Sequence, residues 1–322
     1  MRILNDEHMN KLTADWPSLV DCIERAVRAM DAGDYAQPIK PYLRYRDPRN
    51  RIIAMPAYLG GEFHTAGLKW IASFPGNRER GMPRAHGVIV LNRADTGEPY
   101  AILIGGRPNL LRTAAVSGLT MRRFAQARRP PRPLRVAIIG WGPVGRTHLD
   151  MCDGLFGDAI GQYLLHDIRG IEVSSIPAGL RSKASPAADW QTAYADCDVC
   201  ITCTVADRRY IDAKPRAGCL LLDVSLRDYE MEAIRDVRAV FVDDWDEACR
   251  ENTDIEQLHL ACGLQREHTR TFADIVCRDA LHELPNDAAV LFCPMGMAAF
   301  DLAVANWILT RAEKQHDLGL NL

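Results

Sequence analysis

The sequence predicts an α/β protein of two domains: an α+β domain with a mainly antiparallel sheet, and a second domain built on a parallel sheet. Three observations predict it. Strand-forming segments crowd residues 42–104 with turn residues between them. After residue 134, apolar strands alternate with helix-sized intervals. A stretch rich in Pro and Arg separates the two rhythms. The 322 residues are enough for two such cores.

The first element is a helix over residues 16–32, with Val20, Ile23, Val27 and Met30 on one face, Asp15 as its cap and Gly33 at its end. Strands are expected over residues 42–45, 51–58, 66–73, 87–91 and 100–104. Gly60-Gly61 and Asp95-Thr96-Gly97 supply turns between them. A helix near residues 109–126 follows. Residues 127–134 then hold three prolines and three arginines, and proline cannot continue that helix, so a domain junction is placed here. Its arginines read as a solvated surface.

Beyond it, strands are expected over residues 135–139, 162–166, 199–204, 220–224 and 240–242. Pro294 precedes a last helix over residues 297–313, free to return to the first domain. The expected division is residues 1–126 with 296–322, and residues 127–295.

Composition excludes several functions. Lys and Arg number 39 against 42 Asp and Glu, a net charge of −3, which argues against nucleic acid as partner. No run of about 18 apolar residues suggests a membrane span, and Asp6 and Glu7 stand where a secretory signal needs an apolar core. Ten cysteines at irregular spacing read as reduced thiols, so the expected location is cytoplasmic.

The sharpest motif is Gly140-Trp141-Gly142-Pro143-Val144-Gly145, directly after a buried strand and opening a helix. Gly140 makes the tight turn, Gly142 lets the backbone approach a pyrophosphate, and Gly145 permits close helix–strand packing. Asp167 lies 22 residues beyond Gly145, at the end of the next strand, where a carboxylate accepts from both ribose hydroxyls and repels a 2′-phosphate. The second domain therefore reads as a Rossmann-type domain that binds NAD in preference to NADP. Thr204 and Ser225, at the ends of later strands, complete the candidate cofactor set with Pro143 and Val144.

No metal is expected. Cys197, Cys200 and Cys203 lack a fourth ligand, since Asp207 stands where a ferredoxin-type run needs cysteine, and strand residues of alternating direction do not share an ion. His86 and His148 read as packing or helix-surface residues. Asp243, Asp244, Asp246 and Glu247 read as the cap and solvated start of a helix.

The domain order, with Arg112-Thr113-Ala114-Ala115-Val116-Ser117 ahead of the junction, resembles the ornithine cyclodeaminase and μ-crystallin family over essentially the whole chain. The stretches 50–61, 69–75, 224–228 and 294–301 are similar to one branch, the N-(2-amino-2-carboxyethyl)-L-glutamate dehydrogenases, which release 2,3-diaminopropionate for siderophores and peptide antibiotics. The resemblance implies a homodimer formed through the first domain's sheet, a small amino-diacid substrate, and oxidation of its glutamate-side Cα–N bond to an imine that water cleaves. It also implies that Lys69 and Arg112 hold a substrate carboxylate, that Arg44 or Arg46 assists, and that Met55 lines the pocket.

Lys69 and Asp223 are the implied catalytic pair, with Asp228 as rival to Asp223; Thr113 and Ser117 would reach the nicotinamide side of the cofactor. Arg84 and Arg227 are extra candidate clamps. The chemistry agrees, because three carboxylates call for guanidinium forks and an ammonium. Ile53 stands where the cyclodeaminase pattern has a glutamate for ornithine's distal amine. The other readings are an ornithine cyclodeaminase, an amino-acid dehydrogenase or ketimine reductase, and a protein that keeps NAD only to bind a ligand.

Overall fold

The computed structural model describes residues 1–130 and 132–314. Pro131 of the expected junction and residues 315–322 of the C-terminal segment lie outside the described residues. The chain divides into two compact units, Met1–Ala115 with Gly296–Leu322, and Val116–Met295. The division falls inside a helix rather than at the proline-rich stretch. Helix α3 (Arg107–Arg128) ends at the proline-rich stretch, as proline requires.

The first unit contains β1 (Arg2–Asn5), β2 (Tyr35–Ala36), β3 (Tyr42–Leu43), β4 (Arg51–Leu59), β5 (Thr65–Ser73), β6 (Ala85–Arg93) and β7 (Pro99–Ile104). Among the described residues these form a seven-stranded sheet in the order β1-β7-β6-β5-β4-β2, with β3 also paired to β4. The pairings are antiparallel except β1, which lies parallel to β7. Sequence pattern missed β1 because four residues with one buried side chain, Leu4, give a period of two nothing to repeat.

Helices α1 (Asp6–Asn10) and α2 (Trp16–Asp31) follow β1, and the Asp15 side chain accepts from the Ser18 amide at 3.2 Å. Trp16, Leu19, Val20, Ile23, Ala26 and Val27 form the buried face of α2. Each large side chain there contributes about 1.5–3 kcal/mol of burial.

The last helix, α10 (Ala298–Lys314), packs on α2 and across β4, β5 and β6. Gly67 permits this approach: a Cβ there would lie 2.8 Å from Leu302 Cδ2 and 2.4 Å from the Val90 carbonyl oxygen. Two residues along, on the same face of β5, stands Lys69, in register with Met55 on β4 and Ile89 on β6.

The second unit holds β8 (Leu134–Ile139), α4 (Pro143–Phe156), β9 (Ile160–His166), β10 (Ala184–Pro186), α5 (Trp190–Tyr194), β11 (Val199–Thr202), β12 (Leu220–Asp223), α6 (Met231–Ile234), β13 (Ala239–Val242), α7 (Trp245–Ala248), α8 (Asp254–Cys262), β14 (Thr269–Thr271), α9 (Phe272–Cys277) and β15 (Val290–Cys293). Among the described residues its eight-stranded sheet runs β10-β9-β8-β11-β12-β15-β13-β14, all parallel. Strand β15 comes last in the chain yet lies between β12 and β13, so spacing along the sequence carries no sign of it. Cys197 and Cys200 are packed in the apolar core beside Leu221, Leu291 and Tyr229. Asp244 caps α7 by accepting from the Glu247 amide at 2.9 Å, although Glu247 is buried rather than solvated. Among the described residues, no helix is long and apolar enough to cross a membrane.

Candidate active site

In the first unit the sheet and two helices bring four polar side chains together on an otherwise apolar face. Lys69, from β5, is 2% exposed and donates from Nζ to Asp301 Oδ1 at 2.8 Å and to Asn109 Oδ1 at 2.7 Å. Arg112, from α3, donates from Nε to the same Asp301 oxygen at 3.1 Å and from Nη2 to the same Asn109 oxygen at 3.1 Å. Lys40 is also 2% exposed; its ammonium donates to the Gly296 carbonyl at 2.8 Å and bears electrostatically on Lys69.

Asp301 is wholly buried, and its Oδ2 accepts no hydrogen bond. Burial pushes its pKa up, but Arg112 and Lys69 outweigh that and hold it below the usual carboxylate value. Burial lowers Lys69 to about 8, aided by Arg112 and Lys40 and opposed by Asp301. Two buried cationic side chains therefore share one carboxylate oxygen, with the positive charge of Lys40 also acting on Lys69. Such an imbalance in a low-dielectric place favours an anionic ligand and makes Lys69 able to exchange a proton near neutral pH.

Met55 lines the same face, directly opposite Lys69. Arg44 is exposed, with its guanidinium 4.9 Å from the centre of the Tyr42 ring. Arg46 is exposed as well, in a left-handed backbone conformation with φ 58°. Both follow a two-residue strand, and a pattern in sequence cannot show which way so short a segment turns its side chains. Arg227 donates to the Glu251 carbonyl at 3.1 and 2.7 Å. Thr113 donates to the Asn109 carbonyl at 2.7 Å within its own helix.

The glycine turn of the second unit follows steric rules. Gly140 has φ 103°, and a Cβ there would lie 2.5 Å from the Cys203 carbonyl oxygen. A Cβ on Gly145 would lie 1.9 Å from the Gly140 carbonyl oxygen. Gly142 differs: nothing lies within 4 Å of its added Cβ, and as the residue before Pro143 it opens α4 without any side-chain cap. The helix thus presents free N–H groups beside open space, a cradle suited to a pyrophosphate. Asp167, just past β9, accepts from the Trp141 amide at 2.8 Å and the Arg169 amide at 3.0 Å. Oδ1 also accepts from Arg169 Nε at 3.3 Å, so Oδ2 is the oxygen that keeps a lone pair for a ribose hydroxyl. Burial raises the Asp167 pKa, but the Arg169 and Trp141 amides and the Arg169 guanidinium more than offset it and keep it ionised.

Thr204 and Ser225 meet at the ends of β11 and β12, the Thr204 amide donating to Ser225 Oγ at 3.0 Å. Both hydroxyls donate to Asp228. The Asp228 and Tyr229 amides in turn donate to Asp254, at 3.0 and 3.1 Å.

Asp223, the expected acid–base residue, ends β12. It is wholly enclosed, and its oxygens accept from Thr202 Oγ1 at 3.2 Å, the Leu226 amide at 2.9 Å and the Cys293 thiol at 3.3 Å. Burial, then the charges of Asp254 and Asp228, push its pKa well up. It stabilises the turn after β12.

Ser117 is expected on the nicotinamide side of the cofactor. It is fully buried, and its Oγ lies 2.9 Å from His148 Nε2. His148 Nδ1 lies 2.8 Å from the Val144 carbonyl, which only accepts, so Nδ1 carries the proton and Nε2 accepts from Ser117. Burial lowers His148 to about 4.

Sequence reasoning missed Lys40, Asn109 and Asp301. Asp301 did carry a signal, as the one acid in the apolar run Ala298-Ala-Phe-Asp301-Leu-Ala-Val-Ala305. A charge on a buried helix face needs a partner. Lys40 and Asn109 have no comparable mark.

A family model described as the ornithine cyclodeaminase/mu-crystallin family matches residues 3–316. The N-((2S)-2-amino-2-carboxyethyl)-L-glutamate dehydrogenase of Staphylococcus aureus (strain NCTC 8325 / PS 47) is 32% identical over 311 residues, covering 92% of this chain and 90% of that one. Two solved structures share the fold. One is Thermococcus litoralis Delta(1)-pyrroline-2-carboxylate reductase in complex with NADH and L-proline, with TM-score 0.84, 22% identity and 98% coverage of both chains. The other is an archaeal alanine dehydrogenase dimer with bound NAD, with TM-score 0.80, 22% identity and 98% coverage of both chains.

Proposed function

The chain belongs to the ornithine cyclodeaminase/mu-crystallin family, and we propose that within it this protein is an NAD-dependent oxidoreductase that cleaves N-(2-amino-2-carboxyethyl)-L-glutamate. The balanced reaction consumes the conjugate, NAD⁺ and water and releases L-2,3-diaminopropionate, 2-oxoglutarate, NADH and a proton. One observation carries this reading: Lys69 and Arg112, both buried, share a single carboxylate, Asp301. A substrate with three carboxylates supplies the missing negative charge. The Staphylococcus aureus relative supports the particular conjugate.

Gly140, Gly142, Pro143, Val144 and Gly145 would hold the pyrophosphate and Asp167 the adenosine ribose, with Thr204 and Ser225 beside them. When bound, NAD supplies the hydride acceptor. Arg112 fixes a substrate carboxylate through its fork. Lys69, poised near pH 8, takes the proton from the substrate's secondary amine and returns protons during imine hydrolysis. Ile53 lies two residues before Met55 on the same strand face and offers no carboxylate to a distal amine, which disfavours ornithine.

A homodimer, a cytoplasmic location and a product destined for siderophore or peptide-antibiotic assembly belong to the same proposal. The test is to mix pure protein with NAD and the conjugate, following absorbance of NADH and release of 2-oxoglutarate. Both signals should rise in equal amounts. Folded, NAD-binding protein that produces neither overturns the reading, and proline formed from ornithine without net NADH replaces it with cyclodeamination.

A further inference from the structure

Lys69 and Arg112 share two acceptors, and only one of them is charged. Asp301 offers both cations the same oxygen, while its other oxygen makes no hydrogen bond. The usual arrangement would turn both carboxylate oxygens to the guanidinium fork. Here the second acceptor for each cation is instead Asn109 Oδ1, at 2.7 Å from Lys69 Nζ and 3.1 Å from Arg112 Nη2. Both neighbours are pure donors, so the amide must present its oxygen to them and point its NH₂ away.

We propose that Asn109 is a positioning and charge-selecting residue, which satisfies the geometry of Lys69 and Arg112 without adding negative charge and so keeps the cluster receptive to a substrate carboxylate. An aspartate of the same shape would match the two cations with two carboxylates. The charged groups facing Lys69 are Asp301 from α10, Arg112 from α3 and Lys40 from the segment before β3. Replacing the amide oxygen by a carboxylate adds one negative charge to this set and favours the ammonium form of Lys69. The proposal rests on the carboxylate-binding reading of this cluster, but its first test does not use turnover.

That test is an NMR titration of the Lys69 side chain in full-length protein carrying isotope-labelled lysine, its signal assigned by its loss in Lys69→Met. The native midpoint is expected near 8. Asn109→Asp should raise it, whereas Asn109→Ala, which removes an acceptor and adds no charge, should lower it. Exchanging the two acceptors in Asn109→Asp/Asp301→Asn should bring it back toward the native value. Midpoints that stay put in Asn109→Asp and in Asn109→Ala, or move in the same direction in both, overturn the proposal. If Asn109→Asp does not fold, the direction of the shift in Asn109→Ala decides alone.

The second readout is binding of 2-oxoglutarate as a dicarboxylate probe, which Asn109→Asp should weaken about tenfold or more. Unchanged binding with a shifted midpoint overturns the charge-selecting part. Shifted midpoint and weakened binding without turnover of the conjugate would remove the proposed substrate and leave the role of Asn109 standing.

Discussion

Asp301 Oδ1 lies 2.8 Å from Lys69 Nζ, although 232 residues separate the two in sequence. The contact joins the last helix to the middle of the sheet, and both partners are buried. A buried pair of this kind is costly to break from one side, and the two sides differ here because Arg112 also bonds Asp301.

Lys69→Met should fold, since Asp301 keeps Arg112, and should lose turnover by at least about 100-fold, in the range typical of a lost acid–base group. Its affinity for NAD should stay within about twofold of native on a fluorescence titration, a difference of under about 0.5 kcal/mol. Asp301→Asn removes the carboxylate that buried Lys69 and Arg112 share and should cost about 3–5 kcal/mol in a urea melt. Retained turnover in Lys69→Met would remove Lys69 from the chemistry.

The three glycines of the turn should separate into two classes. Gly140→Ala and Gly145→Ala drive a methyl group into backbone and should lower the melting temperature. Gly142→Ala has room and a φ of −78°, so it should melt like the native protein while binding NAD more weakly. Equal NAD affinity for Gly142→Ala and native would mean that the cofactor does not approach this backbone.

Asp223→Asn keeps the shape of this enclosed carboxyl and removes its charge, in the direction that burial favours. Its amide oxygen can accept from Thr202 and Leu226 as the acid does, and the expected loss of stability is under about 1 kcal/mol. Steady-state kinetics should show turnover near native. Collapse of turnover in a folded Asp223→Asn would restore the acid–base role that the family resemblance implies for this position.

His148 should make the protein acid-sensitive. Its folded value, about 4, lies below the ordinary 6.5, so between those limits the unfolded chain binds the proton and the folded chain does not. Stability from this group is fully present above pH 6.5 and is lost as pH falls toward 4, by up to about 3 kcal/mol. Chemical denaturation of native protein and His148→Gln across this range should show a steeper decline for the native chain. Parallel curves would assign the acid sensitivity elsewhere.

Lys69, Arg112 and Met55 could be named from the chain because long strings around them resemble a family. The strands and the capped helix α2 were legible from local patterns. The surroundings of Ser117 and Asp223 were not legible for a common reason: residue type and position along an element do not reveal enclosure. Ser117 follows Arg112 by five residues, yet it lies wholly buried against His148.

Local chain chemistry was sufficient for the dinucleotide turn. Tight φ, close backbone approach and an open helix end are demands on consecutive residues, and Gly140, Gly142 and Gly145 meet them within six positions. The ring of Lys69, Asn109, Arg112 and Asp301 depended on the tertiary structure. Its members come from β5, α3 and α10, and only the packing of α10 over Gly67 sets the distances that decide their charges. Electrostatic coupling depends on separation in space and on burial, and neither is written in the order of the residues.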